Sequence, residues 1–125
     1  MKVVVIKPRI AANIFGMPLR LTNVVEVKEI GKKIEDYYAE IGTDCIDIQE
    51  RAIDGKDYDI ICDDEAFLKG NCVKTVQSKR GDDWSIVNAV IICRHHQGEE
   101  IGLTDIEVAR IMENLDPDTQ NLIVD

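Results

Sequence analysis

The sequence predicts an α+β fold: a single domain in which a mostly antiparallel sheet of about five strands is accompanied by two helices. Three observations predict it. Short β-branched runs recur along the chain, bounded by Gly, Pro, Asn and Asp turn signals. Two longer stretches place apolar residues at the three-and-four spacing of one helical face. The 125 residues, 45% hydrophobic and 31% charged, are one domain's worth of ordinary globular composition.

Element by element, Lys2 to Lys7 is mostly β-branched and closes at Pro8, which reads as a strand buried on both faces. Arg9 to Leu21 contains Gly16-Met17-Pro18 and reads as an irregular connection with a short strand at Leu19 to Leu21. A helix is expected next, carried by Val24, Val27, Ile30, Ile34, Tyr37 or Tyr38, and Ile41. Asn23 and Glu26 stand at capping-box spacing at its start, and Gly42 is a natural stop. Gly31 within it costs roughly 1 kcal/mol relative to Ala, which close packing on a sheet would explain.

Cys45 to Gln49 alternates as a half-buried strand does, and Asp54-Gly55 is a hairpin signal before a strand at Tyr58 to Cys62. Asp63-Asp64-Glu65 and Gly70-Asn71 mark turns, Val73 to Gln77 a weaker strand, and Lys79 to Asp83 a loop. Trp84 to Cys93 is the longest strand and apolar enough to be central. The second helix starts at Thr104, which forms a capping box with Glu107. Ile106, Ala109, Met112 and Leu115 are its expected buried face, and Asp116-Pro117 its end. The tail, Asn121 to Val124, has the character of an edge strand or of a segment packed on a partner.

Charge and motifs narrow the function. With 24 acidic and 15 basic residues the net charge is −9, which argues against nonspecific nucleic-acid binding, since phosphate contacts need a basic face. It leaves solubility, a basic protein partner or mimicry of nucleic acid. Apolar runs such as Ala89 to Cys93 fall far short of the ~20 residues of a membrane span, and the first residues lack the character of a signal peptide. A cytoplasmic protein with no membrane partner is expected. Cys45, Cys62, Cys72 and Cys93 form no Cys-x-x-Cys pair, and reduced, buried thiols are expected. Phosphate-loop, dinucleotide-fold and nucleophile-elbow signatures are missing, so neither a catalytic residue nor a cofactor is expected.

Three groups of side chains carry candidate chemistry. His95 and His96 are adjacent, so on a strand they point to opposite faces. Cys93 and His95 share a face, but a metal there needs further ligands such as Glu99 or Glu100. Asp63-Asp64-Glu65 follows a strand directly, where carboxylates either hold magnesium or simply face water. The strongest ligand-binding constellation is Lys79, Arg80, Trp84, Asn88 and Arg94. Arginine forks suit phosphate, tryptophan offers a stacking face, and asparagine pairs a donor with an acceptor. Trp84 and Asn88 share one strand face. The structural alternative is that Trp84 is core and Asn88 bonds a neighbouring backbone.

Several stretches carry a resemblance: Lys2 to Pro8, Ile41 to Ile48, Tyr58 to Asn71 with its strand, acidic turn and Leu-Lys-Gly ending, and Leu103-Thr104-Asp105. Their order resembles a family of short, acidic proteins of unknown function encoded by phages and mobile elements of Gram-positive bacteria. Where that family continues with Pro-Asn-Arg, this chain has Asn71-Cys72-Val73-Lys74. The architecture is also similar to that of the Thoeris anti-defence sponges. These are oligomeric, non-catalytic phage proteins that hold cyclic ADP-ribose-type signals, and in some cases cyclic oligonucleotides, away from bacterial defence effectors. That resemblance implies a homo-oligomer in a bacterial host cell with a small nucleotide-type ligand. Trp84 would stack on the base, Asn88 would read ligand edges, and Arg80 or Arg94 would meet phosphates. Thr104 and Arg110 would belong to an intersubunit pocket.

The leading expectation is therefore a non-catalytic nucleotide-signal sponge. The alternatives are an acidic inhibitor or DNA mimic acting on a nucleic-acid enzyme, a plain interaction domain, and an enzyme built on Cys93, His95 and Asp63.

Overall fold

The computed structural model describes residues 1–11, 20–65, 74–77, 85–87, 89–114 and 121–122. Its elements in chain order are β1 (Lys2–Ala11), β2 (Arg20–Glu29), α1 (Ile34–Ile41), β3 (Ile46–Ile53), β4 (Lys56–Asp63), β5 (Lys74–Gln77), β6 (Ser85–Val87), β7 (Val90–His96), β8 (Glu99–Ile101), α2 (Asp105–Asn114) and β9 (Asn121–Leu122). The main sheet runs β3-β4-β7-β1-β2-β9, with β8 paired to β7 and every pairing antiparallel. β5 and β6 form a separate two-stranded sheet. Two helices with an antiparallel sheet are the α+β class that the sequence pattern predicts.

The first hairpin departs from expectation. Residues 24–29, expected as the first half of a helix, belong to β2, a ten-residue strand paired along its whole length with β1. Val24, Val25 and Val27 are β-branched and stiff at χ1, and a full ladder against β1 outweighs a helical spacing that they share by coincidence. Asn23 is therefore a ladder residue opposite Pro8, and α1 starts only after Gly31. Its N-cap is Lys33, whose N–H donates to the Asp36 carboxylate at 3.1 Å. A Cβ on Gly31 would fall 2.2 Å from that carboxylate, so the glycine makes room for the cap rather than for a sheet. Gly42 ends α1 in the left-handed conformation, as expected, its N–H donating to the Tyr38 carbonyl.

Asp54 and Gly55, with φ of 53° and 75°, make the turn between β3 and β4 as their sequence signals. The expected strand Trp84 to Cys93 is two strands in two sheets, β6 and β7, and only β7 is central, lying between β4 and β1. Asn121 and Leu122 pair with β2, the edge position expected of the tail. The turn features at residues 16–18, 70–71 and 79–83, the helix end at 116–117, and Cys72 lie outside the described residues. Cys62 and Cys93 are free and buried, and Cys45 is free and half-buried.

The core has two layers, one on each side of the sheet. Val4, Ile6, Tyr58, Ile60, Val90 and Ile92 pack with Leu103 and Ile111 beneath α2. Val3, Val5, Ile61, Ile91 and Cys93 pack with Tyr37 and Ile41 of α1 on the other face. α2 turns differently from its expected orientation. Ile106 is 69% exposed, Met112 41% exposed and Ala109 exposed, whereas Glu107, Ile111 and Asn114 are buried. Ahead of α2, the Leu103 N–H donates to the Lys2 carbonyl at 2.8 Å, and a Cβ on Gly102 would come within 2.8 Å of the Lys2 nitrogen. That close approach docks the segment on β1 and fixes which side of α2 meets the sheet. Among the described residues no helix is long and apolar enough to cross a membrane.

Candidate functional site

β7 crosses the middle of the sheet and sends alternate side chains to opposite faces. Val90 and Ile92 face α2, and Arg94 follows them there. Ile91 and Cys93 face α1, and His95 follows them. Beyond the apolar part of the strand, each face carries a polar cluster.

On the α2 face the centre is Glu107, whose side chain is only 5% exposed. The helix needs this carboxylate for its cap. The Thr104 N–H donates to Glu107 Oε1 at 2.9 Å, and the Glu107 N–H donates to Thr104 Oγ1 at 3.2 Å. Its other oxygen meets two cations, Lys56 Nζ at 2.8 Å and Arg94 Nη1 at 3.0 Å. Burial alone would raise the carboxyl's pKa. Lys56, the Thr104 donors and Arg94 outweigh it and hold Glu107 down at about 2. Two partly exposed cations on one carboxylate leave a surplus positive charge. Arg110, three residues after Glu107 on α2, stands near the Tyr58 hydroxyl, on which Glu107, Arg110, Arg94 and Asp54 all act electrostatically. That hydroxyl is buried without a hydrogen-bond partner among the described residues, and burial, then Glu107, pushes its pKa up. Lys56 Nζ lies 6.0 Å from the Tyr58 ring centre.

On the α1 face the strand ladder sets Glu50 opposite Asp59, Asp59 opposite Cys93, and His95 opposite Glu100. Both Asp59 carboxylate oxygens lie 3.0 Å from His95 Nδ1, and Glu50 Oε2 is 3.9 Å from His95 Nε2. The hydrogen bond and charge of Asp59 raise the His95 pKa. The Cys93 thiol donates to Glu100 at 3.2 Å, and burial followed by that acid pushes its pKa up. A fully buried thiol so shifted stays protonated, which makes it a poor nucleophile. Glu100 is itself raised, chiefly by burial. Tyr37 of α1 closes the cluster, its hydroxyl pushed up to about 12 by burial.

The structure thus brings Arg94 and Thr104 together at one carboxylate and sets Arg110 on the same helix. Lys79, Arg80, Trp84 and Asn88 lie outside the described residues. His95 bonds Asp59 rather than Asp63, whose carboxylate accepts the Glu65 N–H in a local turn. Sequence reading did not single out Lys56, Tyr58, Glu50 or Asp59. Asp59 did leave a signal, as an acid inside the apolar run Tyr58 to Cys62. Both faces of such a strand are covered, so a charge within it must find a partner.

Residues 14–116 match the family described as a domain of unknown function, DUF3846. The chain belongs to that family. The match takes in the span that holds both clusters, from β2 to the end of α2, and indicates no catalytic family. No curated protein and no solved structure matches the chain.

Proposed function

We propose that this DUF3846 chain is a non-catalytic binding protein of phage or prophage type that sequesters a small phosphate-bearing nucleotide signal, of the cyclic ADP-ribose or cyclic oligonucleotide kind. The observation that carries the reading is the gathering of Lys56, Arg94 and Arg110 around α2 in a chain of net charge −9. Glu107 neutralises one of these cations, and its low pKa keeps the group's net charge constant across the physiological range. Lys56 and Arg94 keep 40% and 32% of their side chains exposed, enough to meet a phosphate while still touching Glu107. In this reading Arg94 contributes a planar fork and Arg110 the second contact, with Arg80 as a further phosphate contact from the Lys79-Arg80 pair, Trp84 stacking on the base and Asn88 reading ligand edges.

The resemblance to signal-sequestering sponges supplies the ligand class, the homo-oligomer and the host-cell cytoplasm as location. Calorimetric titration and thermal shift with cyclic ADP-ribose and cyclic dinucleotides test the reading. The expected result is tight binding, weakened about tenfold or more by Arg94→Ala and by Arg110→Ala, with the ligand recovered unchanged after denaturation. Binding of none of these nucleotides, or their conversion to product, counts against it.

A further inference from the structure

The cluster on the α1 face is independent of the cation group around α2. We propose that Glu50, Asp59 and His95 form a binding site for a divalent first-row transition ion such as Zn2+. One donor atom from each residue lies within 4.8 Å of the other two. Two ligands bound at about 2.0–2.1 Å to one tetrahedral ion stand about 3.3 Å apart. Asp59 lies 3.0 Å from His95 Nδ1, close to that spacing, and Glu50 approaches from the side of the other ring nitrogen, Nε2, at 3.9 Å, so Glu50 turns to join an ion held through Nδ1. Glu50 and His95 are exposed side chains at the rim, free to close by rotation, while Asp59 is fixed beneath them.

Asp59 gives the site its reason. Its side chain is 7% exposed, and among the described residues neither lysine nor arginine pairs with it. A buried carboxylate needs a charged partner. Among the described residues the His95 ring supplies one, and Asp59, Glu50 and Glu100 all act on that ring. Two carboxyls, Glu50 and Asp59, and one imidazole make a mixed oxygen–nitrogen donor set. The imidazole prefers a transition ion to Mg2+. The imidazole and carboxylates bind an ion only in their deprotonated forms, so binding weakens on acidification. The ladder explains the preorganisation, because Glu50 and Asp59 face each other across β3 and β4 while β7 brings His95 alongside.

Titration of the full, metal-stripped chain with Zn2+ at neutral pH, followed by calorimetry and by thermal unfolding, tests the site. One Zn2+ should bind per chain and raise the melting temperature. His95→Gln and Glu50→Gln should each weaken binding by about tenfold or more. His96→Gln should bind as the parent does, since its side chain lies on the opposite face of β7. All three positions are exposed, and matching circular dichroism of the variants confirms that each is folded. Absence of Zn2+ binding overturns the proposal, as does equal loss in His95→Gln and His96→Gln, retention by Glu50→Gln, or Mg2+ binding as tight as Zn2+.

Discussion

Glu107 does two jobs with one carboxylate, capping α2 through Thr104 and pairing with Lys56 and Arg94. Removing its charge leaves two cations over a buried position, so Glu107→Gln should destabilise the fold by about 3 kcal/mol at neutral pH. Its pKa is depressed in the folded state, so its contribution is present above the ordinary value of 4.5 and is lost as pH falls through about 2. Urea unfolding at a series of pH values should show parent and variant converging across that window, and a constant gap would count against the pairing. His95 has the opposite sign. Raised by Asp59, it favours the folded state below its ordinary value of 6.5 and loses that contribution as pH rises through its folded value. The thiol of Cys62, pushed up to about 11 by burial, and that of Cys93 stay neutral through both windows.

For elements, the lesson concerns which periodicity wins. Both helices are amphipathic, but α2 turns a different side to the sheet, burying Glu107, Ile111 and Asn114 in place of Ile106, Ala109 and Met112. Thr104, Glu107 and the Gly102 approach to β1 hold its first turn, and the rest of the helix follows that phase. The consequence is measurable by chemical denaturation. Ile111→Ala should cost about 2–5 kcal/mol, because Ile111 is fully buried. Ile106→Ser, at 69% exposure, should change stability by about 0.5 kcal/mol or less. Equal losses at the two positions would restore the face read from the sequence. In β2 the contest ran the other way, and three valines on a long ladder removed the expected helix from residues 24–29. No local signal separates these cases, because a valine at three-residue spacing fits either structure until a partner strand is present.

At the scale of the molecule, β4, β7 and β1 form the centre, covered on one side by α1 and on the other by α2. Among the described residues β3 is an edge, paired on one side only, and the short β9 pairs with β2 at the opposite end. Native-state hydrogen exchange should therefore be slowest at ladder amides of the central strands, around Val5, Ile61 and Ile91, and faster along β3. Equal protection across the sheet would indicate that β3 is covered in solution, as an oligomer built on that edge requires.

By itself the sequence determined the class, the hairpin turn at Asp54-Gly55, the α1 stop at Gly42, the Thr104 cap and the central place of β7. Each is set by local chemistry: a left-handed turn, a capping hydroxyl, a β-branched run buried on both faces. Only the tertiary structure decided the phase of α2, the division of the early helix into strand and helix, and the membership of the two polar clusters. Arg94 was legible as a candidate because arginine's chemistry is visible alone. That Lys56 and Glu107 share its site, and that Glu50 and Asp59 meet His95, follows from strand register and helix docking. Register is a relation between distant segments, and a single strand's own residues do not contain it.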